Sequence, residues 1–300
     1  MWHLMDVSRE FYFQIGKPAI EAALPLISGR YAAGLVGYGS ECLGFDDEIS
    51  EDHDYGPGFC IWLTARDYER YGERLKEIYS RLPSTFIGMP VKKMPERTGV
   101  FEIEDFYRML YIGNTDPKTW RDWLRLSEEK ITLATNGEVF EDPMGEFTAI
   151  RNRLREGYPR DLNLKKIAMH AGVMAQSGQY NYPRGRRRQD AGTSFFALSE
   201  FCDSALSMAY LLNNRCWPFY KWKMRGAKDL PELSWVADSL KEIMESPLFS
   251  DGKEEQIEEI CRRFTAYLNQ RGLSEKDDPF MEVQKAEITR HIWDEELRNI

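Results

Sequence analysis

Hydrophobic periodicity changes character once along this chain, near Asn114, and that switch limits the fold to a mixed part with strands followed by a helical part. From Asp6 to about Ser28, the residues Phe11, Ile15, Ile20, Ala23 and Leu24 recur at helical spacing, with Pro18 marking a kink or a new start. Tyr31 to Tyr38 is short and apolar and closes in Gly39-Ser40, which predicts a buried strand opening into a tight turn. An acidic stretch, Asp46-Asp47-Glu48, reads as a solvated loop. A second strand is expected from about Asp52 to Leu63, bent at Gly56-Pro57-Gly58. A helix follows from Ala65 to Leu82, stopped by Pro83. Thr98 to Glu104 alternates acidic and apolar residues as a half-buried third strand would, and passes into helical Phe106 to Leu110.

Beyond Asn114, helical spacing dominates at 118–125, 147–156, 162–176, 192–213, 233–245 and 256–270, and Glu138 to Glu141 is the one strand-like run. A chain of 300 residues is long enough for two domains of roughly 100–200 residues each. The expectation is therefore a two-domain α+β protein: a small mixed sheet with flanking helices at 1–115, a helical bundle at 116–300, and a ligand cleft between them.

Charge and cysteine usage narrow the partners. The formal net charge of −9 would repel nucleic acid or anionic lipid, which argues against an extended nucleic-acid partner and makes any anion site local. No window approaches the ~18–20 uninterrupted apolar residues of a membrane span, and the first residues lack a signal-peptide layout. Cys42, Cys60, Cys202, Cys216 and Cys261 are odd in number and never spaced as C-x-x-C, so reduced thiols in a cytoplasm are expected.

The chemistry concentrates after the first strand. Gly39 lets a phosphate approach the backbone and Ser40 adds a hydroxyl donor, a phosphate cradle. After eleven intervening residues, Asp52 and Asp54 lie two apart on a candidate strand, so both carboxylates project from one side. Paired carboxylates facing an anionic substrate suit Mg²⁺, a hard cation that prefers oxygen ligands and substrate phosphates. Glu102 or Glu104 would supply a third carboxylate from the neighbouring strand, Glu102 being the more interior. His53-Asp54 also raises an HD-type phosphohydrolase, but that class needs further histidine ligands on helices, and the Asp52 to Gly58 segment with its Pro57 is no ordinary helix.

A buried strand, Gly-Ser, a spacer of about ten residues and Asp-x-Asp resembles the signature of the polymerase-beta-type nucleotidyltransferase superfamily. Gly39 to Asp47, Glu51 to Pro57, Gly137 to Asp142 and Leu211 to Trp222 are similar to a bacterial family within it, nucleotidyltransferase-like domains of unknown function with a helical C-terminal domain, over about Tyr31 to Pro231. The resemblance implies Mg²⁺-dependent transfer of a nucleoside monophosphate from an NTP to a hydroxyl of an unidentified acceptor, with Gly39 and Ser40 at the triphosphate and Asp52 and Asp54 on the metal. Related two-domain members resemble aminoglycoside and lincosamide nucleotidyltransferases, which favours a small-molecule acceptor; tRNA or protein acceptors, or a catalytically silent nucleotide-binding or interaction module, are the alternatives. Glu102 comes from strand alternation and not from the resemblance.

Basic residues complete the expectation. Arg184, Arg186, Arg187 and Arg188 precede a long helix and read as either a solvated loop or a clamp on phosphate, with Arg186 and Arg188 as the candidate ligands. Lys221, in Tyr220 to Lys223, is a second phosphate candidate, and Asp190 and Glu200 are weighed as general bases against a cap role. If Asp52 and Asp54 bind metal together with nucleotide, Asp54→Asn keeps the shape, removes one charge and abolishes the Mg²⁺-dependent thermal shift with NTP; an unchanged shift refutes the metal assignment.

Overall fold

A computed structural model describes residues 3–50 and 55–300; Asp52, His53 and Asp54 lie outside the described residues. The fold is α+β. By its contacts the chain divides into two compact units, Met1–Lys118 with Arg125–Glu156, and Thr119–Leu124 with Gly157–Ile300. The stretch 125–156, expected with the helical domain beyond 115, thus belongs to the first unit, because its strand completes the sheet.

In the first unit, α1 (Leu4–Phe11) and α2 (Lys17–Ala23) are joined through a π-helical turn at Tyr12–Gly16, and Pro18 occupies the first turn of α2 where its missing N–H costs nothing. β1 (Ala32–Leu35) and α3 (Ala65–Ser80) follow as expected; β2 is shorter than the strand expected from Asp52, running over Cys60–Leu63, and residues 55–59, with Gly56-Pro57-Gly58, are not strand; a small hairpin of β3 (Thr85–Phe86) and β4 (Met89–Pro90) comes next. β5 (Gly99–Glu102) leads directly into α4 (Ile103–Met109). α5 (Trp120–Leu124) belongs to the second unit; α6 (Glu128–Thr135), β6 (Glu138–Glu141) and α7 (Glu146–Arg155) complete the first. Glu104, expected on the third strand beside Glu102, lies instead in the first turn of α4, because the Glu102 side chain caps that helix and ends the strand.

The sheet runs β5-β2-β1-β6, with β1 antiparallel to both β2 and β6 and β2 parallel to β5. β2 is buried on both faces, which is why Cys60 to Leu63 reads as a continuous apolar run. Ile61 and Leu63 join Phe11, Tyr12, Phe59, Ile78 and Tyr79 in the core under α1 to α3. Trp62 faces the other way and stacks on Phe147 of α7 with centroids 3.9 Å apart, Phe106 of α4 closing against its edge.

The second unit is built on α10 (Ala191–Leu212), packed by α8 (Arg160–Met174), α9 (Tyr182–Arg187) and α11 (Tyr220–Ala227); α12 (Trp235–Glu245), α13 (Lys253–Gln270), α14 (Met281–Arg290) and α15 (Glu295–Asn299) complete it. Among the described residues α10 is the one helix long and apolar enough to cross a membrane, and 72% of its apolar window is buried inside the protein, as befits a core helix. Its first turn is capped by Asp190, which accepts from the Thr193 amide. None of the five cysteines, all within the described residues, is in a disulfide, and burial pushes the Cys202 thiol up to about 12.

Gly34 tests the sheet's closeness. A β-carbon there would sit 2.3 Å from the Glu138 carbonyl oxygen, at the register shift where β6 crosses β1. Backbone cannot retreat as a flexible side chain can, so Gly34→Ala is expected to lower unfolding free energy by about 1–3 kcal/mol, measured by chemical denaturation.

Candidate functional site

β1 delivers the chain to the Gly37 to Ser40 turn. Gly37 and Gly39 have φ of 112° and 123°, backbone that residues with a β-carbon rarely adopt. At Gly39 a β-carbon would also fall 2.3 Å from the Glu41 carboxylate. The turn is held from α6 and β6: the Gly37 amide donates to Asn136 Oδ1 at 2.8 Å, and Asn136 Nδ2 donates back to the Gly37 carbonyl at 2.7 Å. One residue on, the Gly137 amide donates to the Cys42 carbonyl at 2.6 Å. Arg151, buried on α7, fixes that brace by donating to the carbonyls of Thr135, Asn136 and Gly137. Burial lowers its pKa to about 10, with the charge of Arg155 adding to the shift, and it is still a cation at neutral pH.

Under the turn lies a buried ion pair. Lys92 Nζ donates to Glu41 Oε1 at 2.8 Å, and both side chains are 5% exposed. Lys92 is itself fixed by its backbone, its amide donating to the Pro57 carbonyl and its carbonyl accepting from Thr98 Oγ1. The pair therefore ties the residue after Ser40 to the segments flanking β2 and β5.

Ser40 points the other way along the chain. Its hydroxyl is 3.2 Å from the hydroxyl of Ser50, which in turn donates to Asp47 Oδ1 at 3.0 Å. Asp47 also accepts from the amides of Ile49 and Ser50, and Asp46, 5% exposed, accepts from the Leu4 amide at the start of α1. The acidic stretch expected as a solvated loop is thus a local brace: its two aspartates satisfy backbone amides that helix starts leave unpaired.

The other candidates separate into engaged and exposed groups. Each oxygen of Glu102 accepts one amide of α4 at 3.0 Å, from Glu104 and Asp105, while the Glu104 carboxylate accepts from Thr115 Oγ1. In the second unit, Arg186 is already paired with Asp251 at 2.7 Å and Glu254 at 3.2 Å, which competes with the expected phosphate role, whereas Arg188 is exposed. Arg184 lies over the Tyr180 ring. Lys221 is exposed beside Trp222, and its neighbour Lys223 is the buried lysine, held by Asp203 and Ser207. Asp190 serves as a cap, and its bond from the Thr193 hydroxyl holds its carboxyl below the usual range. The described histidines are dispersed: His3 near Asp46, His170 beside Ser204 and Trp217, and His291 ending α14. Among the described residues no three His, Cys, Asp or Glu side chains form a metal-binding group.

Sequence reasoning missed Lys92, Asn136 and Arg151. Asn136-Gly137 carries the one legible signal, a turn dipeptide, but nothing local tells that its side chain reaches back to Gly37.

A domain of unknown function, DUF4037, is found at residues 123–223, a span that includes Asn136, Gly137 and Arg151. No curated protein and no solved structure matches the chain.

The ion pair gives a stability test of the turn. Lys92→Met leaves the Glu41 carboxylate buried and unpaired and is expected to cost about 3–5 kcal/mol, whereas adding Glu41→Leu recovers most of the loss. Equilibrium urea unfolding of the two variants checks both statements; equal loss in single and double variants would mean that the pair's charge balance is not what holds the turn.

Proposed function

We propose that this chain is a Mg²⁺-dependent nucleotidyltransferase that moves a nucleoside monophosphate from an NTP to a hydroxyl of a small-molecule acceptor. The reading rests on the resemblance to the polymerase-beta-type superfamily and draws most support from one observation. Ser40, at the end of the Gly37 to Ser40 turn, lies within hydrogen-bond distance of Ser50, the residue immediately before Glu51-Asp52-His53-Asp54. That contact brings the end of the turn to Ser50, which the sequence places just before the paired aspartates.

In this reading the Gly39 amide and the Ser40 hydroxyl donate to phosphate oxygens. Asp52 and Asp54, together with Glu102, would supply an all-oxygen donor set suited to Mg²⁺, which when bound would neutralise charge on the transferred phosphoryl group. Glu102 retains acceptor capacity beyond its two amide bonds, since a carboxylate offers about four lone-pair sites. The acceptor oxygen bonds to the α-phosphorus, the bond to the bridging oxygen breaks, pyrophosphate departs, and the hydroxyl proton passes to a carboxylate or water.

The cap made by Glu102 favours a second reading. A carboxylate whose two oxygens each serve in ending a strand and starting a helix fits a silent nucleotide-binding module. The two readings part on two measurements. Both expect at least one of ATP, GTP, CTP and UTP to raise the melting temperature when Mg²⁺ is present, by mass action; no shift with any of them overturns both. Glu102→Gln is expected to lower stability by only about 1 kcal/mol and to leave that shift largely intact. The enzyme reading adds that the same variant abolishes pyrophosphate release in an acceptor screen in which the parent is active.

A further inference from the structure

Beside the Gly37 to Ser40 turn, two exposed tyrosines and a lysine form a group that the packing of the first unit does not require. Tyr38, between the two positive-φ glycines, is 40% exposed, and Tyr111, just past α4, is 62% exposed. The two phenols are neighbours: Tyr38 is pushed above its ordinary pKa first by burial and then by Tyr111. The Leu110 side chain packs beside Gly37, so the end of α4 lies against the turn. Lys130, in the first turn of α6, holds its ammonium 3.8 Å from the centre of the Tyr111 ring.

Two of these placements run against local preference. Tyr111 has φ of 64°, the left-handed conformation that ends helices and that glycine or asparagine ordinarily supplies. A bulky aromatic there bears backbone strain, and with 62% of its surface exposed it gains little burial in return. Lys130 places a cation at a helix N-terminus, where the helix dipole disfavours it, and among the described residues no carboxylate pairs with it. Strain and an unfavourable charge, kept at one spot beside a phosphate-type turn, fit a binding surface. An exposed aromatic face backed by a cation, next to backbone amides suited to phosphate, matches a nucleotide: a flat base for the ring and an anionic chain for the turn.

We propose that Tyr111, flanked by Tyr38 and backed by Lys130, is the platform on which the base of the bound nucleoside triphosphate stacks. The proposal rests on the nucleotide reading of the turn given above and adds the base subsite to it. Stacking accepts any base, so the platform supplies affinity for nucleotide over bare polyphosphate without strong choice among the four bases.

The test uses the full chain with two probes, Mg²⁺-ATP and Mg²⁺-tripolyphosphate, and calorimetric titration. Tyr111→Gly is expected to weaken ATP binding about tenfold or more while tripolyphosphate affinity stays within about twofold. The same variant relieves the left-handed strain, so its melting temperature should hold or rise, which separates lost stacking from lost folding. Tyr111→Phe, which keeps the ring, should bind ATP as the parent does. Equal ATP affinity in parent and Tyr111→Gly overturns the platform, and so does a parallel loss of tripolyphosphate, which would place the effect in the turn; in either case the nucleotide reading survives. A parent that binds neither probe overturns that reading and the platform with it.

Discussion

The buried pair of Lys92 and Glu41 is the constraint on which the geometry around Gly39-Ser40 depends. Two charges removed from water at 5% exposure hold together only while each has the other, so the separation of their backbones is fixed to within hydrogen-bond length. Glu41 follows Ser40 directly, and Lys92 lies between β4 and β5. Through the pair, the turn after β1 is locked to segments far away in sequence. The same carboxylate fills the space beside Gly39 that a side chain would need, so the ion pair and the glycine are two halves of one arrangement.

A second brace reaches the turn from the opposite direction. Asn136 meets Gly37 with both its donor and its acceptor, and Arg151 gathers three carbonyls around it. A turn clamped from both sides is held in one fixed conformation. This explains why residues 125–156 fold with the first unit although their periodicity is helical: β6 and Asn136 are parts of the sheet and the turn, and separation from them would leave the Gly37 amide and carbonyl without partners.

Much of the framework was legible from local pattern. Tyr31 to Tyr38, Cys60 to Leu63 and Glu138 to Glu141 are short apolar or alternating runs bounded by breakers, and each contains a strand. α3 and α10 follow from long 3.6-residue spacing with Thr64 and Asp190 at their starts. Less legible were places where one side chain decides an element's end. Thr98 to Glu104 alternates as a strand throughout, yet Glu102 turns back to cap α4 and places Glu104 in a helix. Asp46 and Asp47 look like solvated charge until their amide partners are known, and Arg186 looks available until Asp251 and Glu254, more than sixty residues on, are brought to it.

By itself the sequence determined the two kinds of periodicity, the strand that ends in Gly39-Ser40, the position of Asp52 and Asp54 downstream of it, and the absence of a cysteine framework, because these depend on neighbours within a few residues along one chain segment. The tertiary structure decided which polar groups meet: Lys92 with Glu41, Asn136 with Gly37, Ser40 with Ser50, and Lys130 with Tyr111. Each partnership is a contact of directional or short-range character between residues ten to ninety-nine positions apart, and the packing of β1 among β2, β6 and their helices sets those distances. Periodicity tells which face of an element is buried; only the assembled sheet tells what waits on the other side.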